Sequence, residues 1–382
     1  MASTPLLDRL SRELDKRRLE GRFRFTAPLQ PDVGIIDCST NSYLGLHANR
    51  EVASEAARLA NGKLNGNGAS RLVATASELY NELEREIADW EGTEAALVFT
   101  CGYTTNVGIL QALCARSTEV FSDRLNHASL YDGIRLAGCR LNRYRHGDMA
   151  DLRKRLAASD ATEKLIVTDT VFSMDGDRAP LQDIAQLAQT HGAMVMVDEA
   201  HATGMFGECG SGLVEATGTA SAIDVRMGTL SKAVAGLGGY IAVSSLLRDF
   251  FVNFSRSLIY STGLPHPVLA HNLAAIRHIR SHPDTASRVL QASALLRDDL
   301  KALGFDTRPS TTQIIPCIAG DDHKAVALSE YLRERGVIAP AIRPPTVPAG
   351  TARIRFSWSA LHTNDDRLRI VECLREWKQR HE

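Results

Sequence analysis

The sequence contains no pair of cysteines in the C-x-x-C spacing that zinc sites and redox-active disulfides use. Its seven cysteines are odd in number and scattered along the chain, at Cys38, Cys101, Cys114, Cys139, Cys209, Cys317 and Cys373. This distribution argues against a disulfide framework and against a zinc site. Free thiols persist in a reducing compartment, so we expect a cytoplasmic protein without a metal site.

A strong net charge and a long apolar run are also missing. The formal net charge is −1, so no overall field attracts nucleic acid or an anionic membrane. No apolar segment approaches the roughly 20 residues that span a bilayer, and the N-terminus leads into a charged amphipathic stretch. Hydrophobic residues make up 44% of the chain, which is typical of a soluble globular protein. We therefore expect neither a nucleic-acid nor a membrane partner.

Short apolar runs alternate with helical stretches through the middle of the chain. The runs that predict strands are 95–99, 119–122, 164–168, 193–197, 223–227 and 240–244. This alternation predicts an α/β fold with a mainly parallel central sheet and helices on both faces. The last hundred residues mix long helical segments with separate strand-like pieces, which predicts a smaller α+β domain.

We accordingly divide the 382 residues into three segments. Residues 1–50 are predicted to form an N-terminal helix and arm, residues 51–275 a large domain, and residues 276–382 a small C-terminal domain. In parallel sheets, ligands bind beyond the carboxyl ends of the strands. Polar clusters follow several of the predicted strands, which places a candidate site at that edge of the sheet.

Lys232 lies in the segment Gly-Thr-Leu-Ser-Lys (228–232), where small hydroxyl residues flank a lysine. Pyridoxal phosphate (PLP) chemistry requires such a lysine for covalent attachment and as a general base. It also requires an acid against the pyridine nitrogen, and Asp198, at the end of an apolar run, is a candidate. Taken alone, Lys232 could be an exposed surface lysine and Asp198 a helix N-cap.

A phosphate cradle has candidates in the same region. Gly102 and Tyr103 follow a predicted strand and can offer backbone amides at a helix start. Thr229 and Ser231 can add hydroxyl donors. A lone glycine at such a turn would be weak support, because turns use glycine often.

Two histidines could contact the cofactor ring. His127 and His201 each follow a predicted strand, and one could stack on the ring while the other meets its phenolic oxygen. Each alone is more commonly an ordinary polar loop residue. Because all four demands are met at successive strand ends, the sequence predicts PLP as the cofactor.

Motifs that extend from about Asn41 to His362 resemble those of the α-oxoamine synthases, a family of fold type I PLP-dependent transferases. The motifs are NSYLGL (41–46), DRLNHAS (123–129), VFSMDGD (171–177), DEAH (198–201) and TLSK (229–232). Within the family, the segment IRPPTVPAGTARIR (342–355) resembles the member of the biotin pathway.

The resemblance implies a role for individual positions. Lys232 would carry PLP and Asp198 would bind its ring nitrogen. His201 would meet the phenolic oxygen and His127 would stack on the ring. The other implied cofactor contacts are Ser173 near the ring, and Gly102, Tyr103, Thr229 and Ser231 around the phosphate.

Further implied roles concern the partner subunit and the substrate. Thr262 would reach the phosphate from the other subunit, because the family's active site lies at a homodimer interface. Arg355 would pair with the amino-acid carboxylate, a contact that suits a planar guanidinium. Arg343 and Arg22 would contribute to substrate binding.

The implied reaction condenses L-alanine with a pimeloyl thioester, carried by CoA or by a carrier protein, with loss of CO₂. The sequence departs from the usual family residues at Ser42, Thr75, Tyr80 and Ala202, and the departures at Thr75 and Tyr80 leave the acyl substrate open. One alternative is therefore another family member, such as a glycine C-acetyltransferase or a long-chain acyl transferase. An alternative of a different class is a non-catalytic partner subunit that keeps the fold.

Overall fold

A computed structural model describes residues 4–24, 34–73 and 77–381 of the chain. Their contacts divide the chain into two compact units. The larger unit comprises residues 41–173 and 178–290, and the smaller comprises the segment up to residue 40, residues 174–177 and residues 291–382. The domain division proposed from the sequence, at 50/51 and 275/276, stays a prediction. Thr75 lies outside the described residues.

The helices lie close to the periodic segments of the sequence. In chain order they are α1 (Pro5–Leu19), α2 (Arg50–Ala60), α3 (Glu78–Glu91), α4 (Gly102–Leu113), α5 (Ala128–Ala137), α6 (Met149–Ala158), α7 (Leu181–His191), α8 (Leu213–Thr217), α9 (Ser245–Phe254), α10 (Arg256–Ile259), α11 (His266–Ser281), α12 (Asp284–Ala302), α13 (Asp322–Glu334) and α14 (Asn364–His381). Within the described ranges, no helix combines the length and the apolar composition that crossing a membrane requires.

A strand overlaps each apolar run named above, and the ends of run and strand differ by at most two residues. In chain order they are β1 (Ile36–Asp37), β2 (Ala95–Phe99), β3 (Glu119–Asp123), β4 (Arg140–Tyr144), β5 (Lys164–Asp169), β6 (Met194–Asp198), β7 (Val225–Thr229), β8 (Gly239–Val243), β9 (Ile314–Gly320), β10 (Val337–Ile338), β11 (Ala341–Ile342) and β12 (Ala352–Ser357).

The larger unit is built on a seven-stranded sheet of order β2-β8-β7-β6-β5-β3-β4. The pairings from β7 through β6, β5 and β3 to β4 are parallel. β8 runs antiparallel to both of its neighbours, β2 and β7, so β2 points in the same direction as the parallel strands. The prediction of a mainly parallel α/β sheet is confirmed. The carboxyl ends of six strands therefore lie along one edge.

The core of the larger unit joins this sheet to the helices packed against it. Val120, Val167 and Met196 are fully buried on their strands, and Ile109 and Leu110 of α4 pack into the same cluster. Burying a side chain of this size contributes roughly 1.5–3 kcal/mol to folding. This packing fixes the strand ends, and hence the loops that follow them.

The smaller unit is an α+β unit, as predicted. Its antiparallel sheet has the order β11-β12-β9, and β1 pairs in parallel with β10. The segment 174–177 is tied into this unit because Thr312 Oγ1 donates to Gly176 O at 2.9 Å and buried Arg353 pairs with Asp175. The N-terminal segment is therefore held by elements from the end of the chain.

Candidate active site

The predicted cofactor residues, apart from Thr262, line one cavity of the larger unit. The cavity has a volume of about 220 Å³. Its lining includes Gly102, Tyr103, His127, Ser173, Asp198, His201, Thr229, Ser231 and Lys232. Each follows or ends a strand of the seven-stranded sheet, so the cavity opens at the carboxyl edge, where the sequence placed it.

Lys232 is held in a hydrogen-bonded chain inside this cavity. Its Nζ lies 2.9 Å from His201 Nε2. His201 Nδ1 in turn lies 2.6 Å from the hydroxyl of Tyr43, and that hydroxyl donates to Asn41 Oδ1 at 3.1 Å. Tyr43 is completely buried. The lysine amine is therefore positioned by a histidine whose far side is itself fixed.

Asp198 ends β6 with both carboxylate oxygens engaged. Its Oδ1 accepts the backbone N–H of Ala200 at 2.9 Å, and its Oδ2 accepts from Asn106 Nδ2 at 2.7 Å. Asp198 is buried, so these two donors hold the carboxylate in one orientation. A fixed carboxylate of this kind can pair with a protonated ring nitrogen.

The same asparagine connects the acid to His127. Asn106 Nδ2 also donates to Ser129 Oγ at 2.9 Å, and Ser129 Oγ lies 2.7 Å from His127 Nδ1. The surrounding protein desolvates His127 and lowers its pKa, with the charge of Lys232 adding to this effect and the charge of Asp198 opposing it. The lowered pKa favours the neutral form of His127, which lines the cavity.

The start of α4 forms an anion cradle. Cys101 is its N-cap and makes no side-chain capping bond, and the first intrahelical bond runs from Thr105 N to Cys101 O at 3.0 Å. The backbone N–H groups of Gly102 and Tyr103 are therefore left for a ligand. The Thr229 and Ser231 hydroxyls, 2.9 Å apart, line the same cavity.

The cradle depends on a close approach of α4 to β8. A Cβ added to Gly239 would lie 2.4 Å from Thr105 Oγ1 and 2.8 Å from Gly102 Cα. Only a residue without a side chain allows this approach. The strand thereby fixes where the amides of the cradle point.

Several residues of this site were missed by the sequence reasoning. Asn106 was not singled out, although it lies one helical turn after Gly102. Tyr43 and Ser129 stood within the quoted motifs without a role. Asp169 lines the cavity, and burial, reinforced by the charge of Asp198, raises its pKa well above the usual range. The sequence signal that could have identified these residues is their polar character close to the predicted strand ends and motifs.

Thr262 and the predicted arginines lie elsewhere. Thr262 is exposed in the larger unit, where it forms a β-bridge with Ser70. Arg355 is buried in the smaller unit and donates to Ser357 Oγ at 2.6 Å. In that unit Arg22 pairs with Asp322 at 2.8 Å, and Arg343 donates to Gly21 O.

Three positions that depart from the family pattern, Ser42, Tyr80 and Ala202, are buried in the larger unit. The Tyr80 hydroxyl accepts the backbone N–H of Leu264, and the Arg71 guanidinium lies 4.4 Å from the centre of the Tyr80 ring. Ala202 is fully buried just after His201. Tyr80 therefore supports the segment that carries Thr262.

One further cluster in the described residues has the chemistry of a metal site: Glu51, His278 and His282. Asn49 Oδ1 accepts the N–H groups of Glu51 and Val52, so its amide nitrogen faces His278 Nε2 at 3.2 Å. A neutral His278 then carries its proton on Nδ1, toward Glu51. His278 Nδ1 lies 3.7 Å from Glu51 Oε2, an ion-pair distance, and its Nε2 is already engaged by Asn49, so we assign the cluster no metal.

Comparison with known proteins places the chain in a family. A model of the aminotransferase class I and II family matches residues 33–374. The putative 8-amino-7-oxononanoate synthase of Geobacillus kaustophilus is 46% identical over 342 residues, covering 89% of this chain and 88% of the relative. The 8-amino-7-oxononanoate synthase of Geobacter metallireducens is 45% identical over 362 residues, covering 94% of this chain and 92% of the relative.

Solved structures agree with the fold. A structure of SPT with PLP matches with a TM-score of 0.93 at 30% identity, covering 100% of this chain and 99% of that one. Serine palmitoyltransferase of Sphingomonas wittichii gives a TM-score of 0.92 at 29% identity, with the same coverage. The chain therefore belongs to the aminotransferase class I and II family and, within it, to the α-oxoamine synthases.

Proposed function

We propose that this chain is a PLP-dependent enzyme that condenses L-alanine with a pimeloyl thioester. The products are 8-amino-7-oxononanoate, CO₂ and the free thiol, a step of biotin biosynthesis. The observation that carries the proposal is the single cavity in which Lys232, Asp198, His127 and His201 meet the amides of α4. The names of the two relatives supply the product, and the resemblance to the family supplies the two substrates.

The cavity fits PLP group by group. The amides of Gly102 and Tyr103 and the hydroxyls of Thr229 and Ser231 suit a phosphate. Asp198 suits the protonated ring nitrogen, because two hydrogen bonds fix the orientation of its side chain. The neutral ring of His127 suits stacking, and His201 suits the phenolic oxygen. Ser173 lines the same space.

When bound, PLP would supply the electron sink that lets Cα of an amino acid lose a proton. Lys232 would hold the cofactor and, with its amine free, would take the Cα proton of L-alanine as general base. A bond would form between Cα and the thioester carbonyl carbon, the carbon–sulfur bond would break, and the thiolate would take up a proton as it leaves. The bond from Cα to the carboxyl carbon would break to give CO₂, and a proton would return to Cα.

Substrate and subunit contacts extend the proposal. Arg355 would pair with the carboxylate of L-alanine, since a guanidinium can bind a carboxylate through two parallel hydrogen bonds. Arg22 and Arg343 are already engaged by Asp322 and Gly21 O, and their role as substrate ligands stays a prediction. The protein would be a cytoplasmic homodimer in which exposed Thr262 reaches the phosphate in the partner's cavity.

A matrix of substrates tests this function. Purified protein loaded with PLP is assayed with alanine, glycine and serine against pimeloyl, acetyl and palmitoyl thioesters on CoA, and with pimeloyl-carrier protein. We expect product from alanine with a pimeloyl donor. Activity confined to glycine with acetyl-CoA, or to serine with palmitoyl-CoA, would assign another reaction of the same family.

The visible absorbance of the protein separates an enzyme from a non-catalytic partner subunit. We expect PLP addition to give a visible band that borohydride abolishes, because the reagent reduces the covalent link to Lys232. A protein that gives no band after PLP addition would be the inert subunit.

A further inference from the structure

We propose that Tyr43 is a positioning residue for Lys232: it fixes the protonation and the orientation of His201, so that His201 Nε2 presents a lone pair to the lysine amine. This inference rests on the proposed function, because it concerns the amine that would carry the cofactor. Tyr43, Asn41, His201 and Lys232 all belong to the larger unit.

The position of Tyr43 is set by its local backbone. Tyr43 N donates to Asn41 O at 2.8 Å, and Gly45 N donates to Ser42 O at 3.0 Å, so the segment turns twice within five residues. Gly45 has a φ of +67°, which glycine adopts without strain. The ring is 0% exposed. The hydroxyl is therefore delivered to His201 by a rigid, buried segment.

The number of available protons decides which nitrogen of a neutral His201 ring is protonated. The Tyr43 hydroxyl has one proton, which it donates to Asn41 Oδ1 at 3.1 Å. The 2.6 Å contact between Tyr43 Oη and His201 Nδ1 then requires that Nδ1 carry a proton and donate it to the hydroxyl oxygen. Nε2 is left with a lone pair.

That lone pair faces the amine. Lys232 Nζ is 2.9 Å from His201 Nε2, and an ammonium group can only donate. The opposite tautomer would set an N–H of the ring against an N–H of the ammonium. The chain Lys232–His201–Tyr43–Asn41 therefore has one consistent direction of donation, which ends on the Asn41 amide oxygen.

This direction matters for Lys232 because an amine reacts through its free base. His201 Nε2 is placed to take a proton from the ammonium, which leaves a neutral amine and a protonated ring. Without the Tyr43 hydroxyl, Nδ1 loses this hydrogen-bond partner, and the ring can adopt the other tautomer or rotate. Lys232 would then lose a correctly oriented acceptor.

The first test uses cofactor-free protein and ¹⁵N chemical shifts of the histidine ring. In the wild-type protein we expect His201 Nδ1 to be protonated and Nε2 to be unprotonated. Tyr43→Phe should give a mixture of tautomers. Asn41→Leu, which leaves the Tyr43 ring in place but removes the acceptor of its proton, should shift the population toward the Nε2-protonated form.

The second test loads PLP and follows the visible absorbance. Tyr43→Phe should slow formation of the band by about tenfold or more and move the pH midpoint of its titration, as loss of a positioning contact does. Tyr131→Phe is the matched control, since it removes a 2.6 Å hydrogen bond to the backbone Asp123 O and should leave rate and midpoint unchanged.

The two tests separate this inference from the proposed function. If the ¹⁵N chemical shifts of the His201 ring were unchanged in both Tyr43→Phe and Asn41→Leu, the inference would be overturned, whether or not the PLP band forms normally. A lower melting temperature of Tyr43→Phe with unaltered ring shifts and band midpoint would reduce Tyr43 to a packing residue and equally overturn it. Failure of the wild-type protein to form a band contradicts the proposed function instead, and the ring shifts still decide the role of Tyr43.

Discussion

At the scale of single residues, the site is a set of side chains whose orientation is fixed by partners beyond the cavity wall. Asp198 is held by Asn106 and the Ala200 amide, and Lys232 by His201. Partners of this kind keep reacting groups in productive geometry, which is where much of an enzyme's rate advantage arises. The sequence predicts candidates for the reacting residues, but it does not reveal the side chains that hold them in place.

Asn106 and Tyr43 illustrate the reason. Asn106 lies within helix α4, and its sequence neighbours do not reveal that its side chain meets a carboxylate 92 residues away. Tyr43 contacts a histidine 158 residues away. Contacts of this range depend on how strands are ordered in the sheet, which local patterns do not encode.

Lys232→Ala should abolish turnover. Because the same amine is proposed as the anchor and as the base, we expect a loss of several orders of magnitude in kcat. Steady-state assays with alanine and pimeloyl-CoA measure this loss. Lys154→Ala, at an exposed lysine, is the control. Near-wild-type turnover in Lys232→Ala would refute the assignment.

Glu199, the neighbour of Asp198, makes stability depend on pH. It is fully buried, and burial, with the charge of Glu91 adding to it, raises its pKa to about 8. The native state thus keeps a proton that the unfolded chain loses above a pH of about 4.3. The free energy of unfolding should therefore fall as pH rises from about 5 to about 8.

Glu199→Gln cannot lose a proton, and its Oε1 can still accept the N–H groups of Leu213 and Val214. We expect urea unfolding of this variant to depend less on pH than that of the wild type between pH values of about 5 and 8. Glu208→Gln, at an exposed glutamate, should behave like the wild type. Parallel pH profiles for Glu199→Gln and the wild type would contradict the raised pKa.

At the scale of elements, the strands and the helix starts explain where the site lies. The buried strands were predicted because they are continuous apolar runs. β4 was missed because it is an edge strand with mostly exposed, polar side chains, Arg-Leu-Asn-Arg-Tyr. The antiparallel direction of β8 was not predicted either, since an apolar run carries no sign of its direction.

Gly239→Ala should disturb the phosphate cradle. The added methyl would meet Thr105 Oγ1 and Gly102 Cα and push the start of α4 away from β8. We expect a destabilisation of about 1–3 kcal/mol, the usual effect of overpacking, and a PLP dissociation constant raised by about tenfold or more. Chemical denaturation and absorbance titration measure the two effects.

The matched control is Gly66→Ala, because a Cβ at Gly66 has no neighbour within 4 Å. It adds the same methyl group without a clash. If Gly239→Ala bound PLP as tightly as Gly66→Ala, the start of α4 would not be the phosphate site.

At the scale of the whole molecule, the residues proposed to bind the cofactor and those proposed to bind the substrate belong to different units. The larger unit contains the cavity with every predicted cofactor residue except Thr262, and the smaller unit contains the three arginines proposed for substrate. The fold class of both could be predicted from the alternation of elements. The association of the N-terminal segment with the end of the chain could not be predicted, because the β1–β10 pairing joins residues 301 positions apart.

The proposed dimer makes a prediction about mixed variants. Thr262→Glu would place a negative charge against the partner's phosphate, so this variant and Lys232→Ala should both be inactive alone. When the two are mixed and allowed to exchange subunits, half of the dimers are hybrids with one intact site, and activity should recover to about a quarter of the wild-type value. No recovery despite proven exchange would place Thr262 outside the partner's site.

The central claim is a decarboxylative condensation at this cavity, and the fate of the alanine carboxyl group tests it most directly. The PLP-loaded protein is incubated with L-alanine labelled with ¹³C at the carboxyl carbon and with pimeloyl-CoA. Mass spectrometry should find one ¹³CO₂ per thiol released and unlabelled 8-amino-7-oxononanoate. Thiol release without ¹³CO₂, or a product that keeps the label, would contradict the account.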